Sequence, residues 1–78
     1  MNATNATTTL PPTPAEAWSV YVGSQSPAEF AARCRGSVAD ALIDYAYDGP
    51  FSGDLTGMQK NYLADALIAY ARACGVQP

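Results

Sequence analysis

The chain contains no histidine, and only four of its 78 residues are basic. Histidine is the commonest general base, metal ligand and switch near neutral pH, so its absence removes the easiest routes to chemistry. The two cysteines have no imidazole to serve as a base for a thiol nucleophile, and two thiolates alone make a poor zinc site. The six glycines are scattered singly and form no phosphate-cradling loop. No apolar run approaches the roughly 18 residues needed to span a bilayer. A net charge of −3 argues against a protein that grips nucleic acid by neutralising phosphates, and it suits a partner with a basic surface.

The segment Met1–Pro14 has neither the positive charge nor the apolar stretch of a secretory signal, so the expected compartment is a cytoplasm. Glycosylation at Asn2 and Asn5, both in Asn-Ala-Thr triplets, would matter only in a secreted chain. Residues 1–12 read as a disordered Thr/Pro-rich arm and residues 13–78 as a single helical domain.

Three helix starts stand out. Thr13-Pro14-Ala15-Glu16 and Ser26-Pro27-Ala28-Glu29 each place a capping hydroxyl, a proline at the first helical position and a glutamate three residues after the cap. Thr56-Gly57-Met58-Gln59 is a third capping-box sequence. From the first start, Trp18, Tyr21 and Val22 share a face and Gly23 stops the helix, although the β-branched and aromatic run Ser19–Val22 also fits a strand. From the second, Phe30, Cys34, Val38, Ala41, Leu42 and Tyr45 recur at steps of three and four. This periodicity predicts one long helix to about Asp48, ended by Gly49-Pro50. The alternative is a break at Gly36, with Ser37 capping a new helix. The third start leads into Leu63, Leu67, Tyr70, Ala71 and Cys74, and Gly75 stops it.

The stretch Ala39-Asp40-Ala41-Leu42-Ile43-Asp44-Tyr45-Ala46 recurs as Ala64-Asp65-Ala66-Leu67-Ile68-Ala69-Tyr70-Ala71, differing only at Asp44 against Ala69. Two helices joined by a short loop lie antiparallel. Residues equidistant from the loop then face each other, which pairs Val38 with Tyr70, Ala41 with Leu67 and Tyr45 with Leu63. The expected fold is therefore all-α: a small three-helix domain centred on an antiparallel hairpin (about 27–48 and 57–74). A short N-terminal helix (about 14–22) would cover its seam.

The same register brings Cys34 opposite Cys74, as a disulfide or as a packed thiol pair. A disulfide closing about 40 residues would contribute roughly 4 kcal/mol, but a reducing cytoplasm disfavours it. Asp44, Asp48 and Gly49 imitate part of a calcium loop, yet Ala46 and Leu55 occupy two of its key ligand positions. No metal, cofactor or catalytic group is expected, and the chain reads as a non-enzyme.

What remains is surface. Asp40, Asp44 and Asp48 recur every four residues along one helix, with Asp54 in the following loop. Like charges at this spacing cost a few tenths of a kcal/mol, and no Lys or Arg is interleaved to relieve them. Arg33, Arg35 and Arg72 fall at the other end of the hairpin. Tyr47 and Phe51, with Tyr62, would supply aromatic anchors near the loop. The expected partner-binding residues are thus Asp40, Asp44, Asp48, Asp54, Tyr47 and Phe51.

A tiny, acidic, histidine-free helical chain of this kind resembles the small inhibitors encoded by phages and mobile elements, the anti-CRISPR proteins in particular. The composition argues against membrane and direct nucleic-acid binding, and a monomer is expected rather than a dimer. The resemblance implies a chain in the host cytoplasm that works without chemistry. It implies occupation of a basic, nucleic-acid-binding surface on a larger nucleoprotein effector, with carboxylates standing where phosphates would bind. The other expectation is a structural or assembly module, a small subunit that docks through an apolar helical face.

Overall fold

The structure is a computed structural model, and it describes residues 10–77. The described residues form four α-helices and no strand: α1 (Pro14–Tyr21), α2 (Pro27–Arg33), α3 (Val38–Asp48) and α4 (Gly57–Ala73), with a single 3₁₀ turn at Ser52–Asp54 between the last two. The all-α architecture expected from the periodicity is what the chain adopts. Residues Met1–Thr9, including both Asn-Ala-Thr triplets, lie outside the described residues. The end of the expected arm is held to the domain. Leu10 packs against the core, and the Pro11 carbonyl accepts a 2.9 Å hydrogen bond from the Tyr62 hydroxyl.

Each helix begins where a side chain can satisfy orphan backbone donors. Ser26 and Glu29 form a reciprocal capping box, with the Ser26 N–H donating to Glu29 Oε1 at 2.8 Å and the Glu29 N–H to Ser26 Oγ at 3.2 Å. Thr56 and Gln59 repeat it at 2.9 and 3.1 Å. At α1 the Thr13 hydroxyl accepts from the Glu16 N–H and donates to its carboxylate at 2.8 Å.

The single helix expected over 27–48 is instead two. The chain leaves α2 at Cys34 in an extended conformation (φ −79°, ψ 145°), and Ser37 caps α3 by accepting from the Asp40 N–H at 3.3 Å. Periodicity could not separate these outcomes, because the apolar stripe stays in phase across the break. Local chemistry decides: Gly36 costs about 1 kcal/mol inside a helix relative to Ala, and a serine N-cap contributes a similar amount. The break also frees α2 to turn its Phe30 ring edge-on to Trp18 (5.8 Å, 75°) and Tyr45 (6.4 Å, 83°).

α4 is the organising helix, with α3 and α1 packed on it and α2 touching it more lightly. The core is Val38, Leu42 and Ala46 of α3, Leu63, Ala64, Ala66, Leu67 and Ala71 of α4, and Ala17, Trp18 and Tyr21 of α1, with Leu55 from the loop. Leu42, Leu63 and Leu67 are its largest fully buried side chains. The hairpin seam therefore centres on Leu42 and Ala46, while Ala41 and Tyr45, expected at its centre, are half-buried beside it.

The ends are equally local in origin. Pro50 disfavours a helical Gly49, which lies extended (φ −77°, ψ −176°) and ends α3. A Cβ at Gly49 would run into the Tyr45 carbonyl oxygen, so glycine is needed there. At Gly75 (φ 86°) the chain makes a Schellman motif, the Val76 N–H reaching the Ala71 carbonyl and the Gly75 N–H that of Arg72, both at 3.0 Å.

Candidate functional site

Asp40, Asp44 and Asp48 are all exposed on α3, and Asp54 is exposed in the 3₁₀ turn. Four residues of helix rise about 6 Å, so the three α3 carboxylates form a ladder along one side of the molecule. Their local settings differ. Asp40 lies in the first turn of α3, where the helix N-terminus favours an acid. Asp48 lies in the last turn, where the helix C-terminus disfavours one and no basic residue accompanies it. Asp54 faces α1 closely enough for its charge, after burial, to raise the pKa of Tyr21.

The aromatic residues expected beside this ladder also make contacts within the fold. Phe51 is 39 % exposed, but its ring stands edge-on to Tyr21 at 5.2 Å. Tyr47 is half-buried and packs against the core. Tyr62 is 39 % exposed and its hydroxyl is committed to Pro11. Among the described residues the most exposed large apolar side chains are Met58 (84 %) and Val20 (59 %), which sequence reasoning passed over. Met58 could have been found: it sits in the first turn of α4, off the face that carries Leu63, Leu67 and Tyr70.

The two cysteines are free thiols in unlike settings, so the structure contains no Cys34–Cys74 disulfide. Cys34 is half-buried and its thiol donates to the Phe30 carbonyl at 3.3 Å. Cys74 is exposed at the end of α4, where the nearby thiol raises the pKa of Tyr70. The register argument paired them because it took Cys34 to be on the same helix as Val38. The break after Arg33 removes that premise.

The repeat tyrosines occupy related but unequal places. Tyr70 packs on Trp18 (5.5 Å, 42°) and Tyr45 on Phe30, so Tyr70, Trp18, Phe30 and Tyr45 form one continuous aromatic row. The Trp18 indole N–H donates to the Gln25 carbonyl at 2.7 Å, tying α1 to the linker before α2. The Tyr45 hydroxyl donates to the Tyr21 carbonyl at 2.6 Å, and burial raises its pKa. At one end of the row the surface opens into a groove of about 460 Å³, walled by Trp18, Tyr70, Ala15, Pro27, Ala28 and Cys74 and rimmed by the 23–26 linker.

Among the described residues, no three or more Cys, Asp or Glu side chains gather as they would to hold a metal ion. No helix there is long and apolar enough to cross a membrane. No protein-family model matches the chain, and neither curated proteins nor solved structures show a significant similarity to it.

Proposed function

We propose that this is a non-enzymatic binding protein that inhibits or modulates a larger nucleoprotein effector in the host cytoplasm, in the manner of the anti-CRISPR proteins. The acidic side of α3 meets a basic surface of that effector on which nucleic acid would otherwise lie. The observation that carries this reading is the ladder of Asp40, Asp44 and Asp48, exposed along one helix that contains no basic residue. A repeated anion at a regular rise is what a basic groove built for phosphates recognises. Asp54 extends the negative field around the loop, and Tyr47 and Phe51 border it.

The test starts from capture of the partner on the tagged chain from its native host, with identification by mass spectrometry. The D40N/D44K/D48K variant keeps an uncharged residue at the start of α3, so helicity should hold. It should lose the partner by at least a hundredfold in affinity. Nucleic acid that binds the partner should compete with the parent chain. Undiminished binding by the triple variant would show the ladder to be a solvated face only.

A second reading has one observation in its favour. Met58 and Val20 are more exposed than large apolar residues usually are, as they would be on a small subunit that docks through an apolar helical face. Retention of the partner by the triple variant, with loss on Met58→Glu, would favour that reading.

A further inference from the structure

We propose that α2 is a lid, hinged at Gly23 and Gly36 and loaded by Gln25, that opens as a unit while α1, α3 and α4 stay folded together. It gates access to the Trp18 ring and the Cys34 thiol. Several observations meet in this segment. α2 is seven residues long, too short to persist as a helix without tertiary support, and Pro27 is its one buried residue. It touches α4 lightly, whereas α1 and α3 are both packed on that helix. The groove of about 460 Å³ has Pro27 and Ala28 in one wall and Tyr70 and Cys74 in another, so this end of the lid is undercut. A glycine stands at each end of the segment. Gly23 has a left-handed φ of 94°, and Gly36 lies in open space, so the chain there is free to swing.

Little holds the lid shut. Among the described residues, the one hydrogen bond from segment 24–36 to another helix is that of the Trp18 indole N–H to the Gln25 carbonyl. The bonds of Ser26 with Glu29 and of Cys34 with Phe30 stay inside the segment. The apolar hold is the Phe30 ring, edge-on to Trp18 and Tyr45, with Ala31 and Cys34 half-buried beside it. Against these stands the Gln25 side chain, whose Oε1 is buried without a hydrogen-bonding partner. Such an acceptor disfavours the closed state and regains water on opening. Opening lifts Phe30 off Trp18, brings the indole and the Cys34 thiol into solvent, and unwinds α2. The segment therefore sits at the low-stability end of the fold, where local opening precedes global unfolding.

Native-state hydrogen exchange of the full chain, followed by NMR in low concentrations of urea, reads the lid residue by residue. The amides of residues 30–34 should share one opening constant, at least about a hundredfold larger than that of Leu67 in α4. Its urea dependence should be measurable but smaller than that of global unfolding, because less surface is exposed. In a C74S background, Ellman's reagent should label Cys34 at that same opening constant times the rate of a free thiol. Two variants separate the lid from the core. Gln25→Met replaces the orphan acceptor with an apolar side chain of similar length and should slow Cys34 labelling about tenfold. Leu55→Val, in the loop before α4, should lower the protection of Leu67 severalfold yet leave the lid's opening constant unchanged, because the open state keeps the contacts of Leu55.

Protection of α2 equal to that of α4 overturns the proposal, because the segment then opens only when the whole domain unfolds. Exchange in α2 with no urea dependence and no common constant overturns it as well, since that is residue-by-residue fraying. So does a Q25M chain labelled as fast as the parent, or an L55V chain whose lid and core loosen together.

Discussion

The two repeat tyrosines give a sharp test, because the same substitution at equivalent positions should have unequal effects. Tyr45 donates its hydroxyl at 2.6 Å to the carbonyl of Tyr21, the last residue of α1. That carbonyl is one of the four acceptors a helix leaves unpaired at its C-terminus. Tyr45→Phe keeps the ring on Phe30 and deletes only the donor, leaving a partly buried acceptor without its partner. The cost of such a loss is about 1–3 kcal/mol. With Tyr45 half-buried, about 1.5 kcal/mol is the expected value, or roughly 6–12 °C in Tm for a domain of this size. Tyr70→Phe removes a hydroxyl whose neighbour is the exposed Cys74 thiol and should shift the midpoint far less than Tyr45→Phe. Urea unfolding followed by far-UV circular dichroism and by fluorescence of Trp18, the single tryptophan, reads both values. Midpoint shifts of equal size for Y45F and Y70F would refute the account of how α1 is held.

Four further outcomes follow from the same geometry. Tyr21, Tyr45 and Tyr70 hold their protons more tightly when folded, the first two chiefly through burial and the third through Cys74, so the unfolded chain ionises first as pH rises. Stability should be flat from neutrality to about pH 9 and fall above about pH 10, with a shallower fall in Y45F, as chemical denaturation at each pH would show. Hydrogen bonds from Ser26, backbone first, lower the pKa of Glu29, so its contribution is present above the usual carboxylate range and is lost as acid protonates it; E29Q should flatten the acid limb of the same curve. Gly49→Ala forces a methyl against the Tyr45 carbonyl oxygen and should cost about 1–3 kcal/mol in urea unfolding. In the native protein Ellman's reagent should label Cys74 quickly and Cys34 slowly, and C74S should abolish the fast phase.

Much of the fold was legible because its signals are local. Thr13, Ser26 and Thr56 announce their helices through hydroxyls and the residues three positions on, and Gly23, Gly49-Pro50 and Gly75 close them through backbone requirements. What escaped were features that depend on tertiary geometry. The break after Arg33 is invisible to periodicity, since α2 and α3 keep one apolar phase. The packing of Phe51 and Tyr47 within the fold depends on where Tyr21 and the core stand, which no spacing reveals. The exposed acids were read correctly as exposed, since burying an unpaired carboxylate is costly. The groove was not foreseen at all. Its walls come from α1, the linker, α2 and α4, and only their packing puts them together.

The row Tyr70–Trp18–Phe30–Tyr45 has a consequence for folding. Taken alone, the two repeat segments are nearly interchangeable, and a chain built only of them would have two almost degenerate ways to arrange its hairpin against any third element. Trp18 and Phe30 remove that degeneracy. The indole is tied to the Gln25 carbonyl and packs on the Tyr70 side, while the smaller phenyl ring takes the Tyr45 side, where the hydroxyl can reach α1. Exchanging the copies would pit the larger ring against the tyrosine that must also bond Tyr21. The short helices before the hairpin thus open an energy gap between one topology and its mirror assignment, and a near-duplicated sequence acquires a single native state.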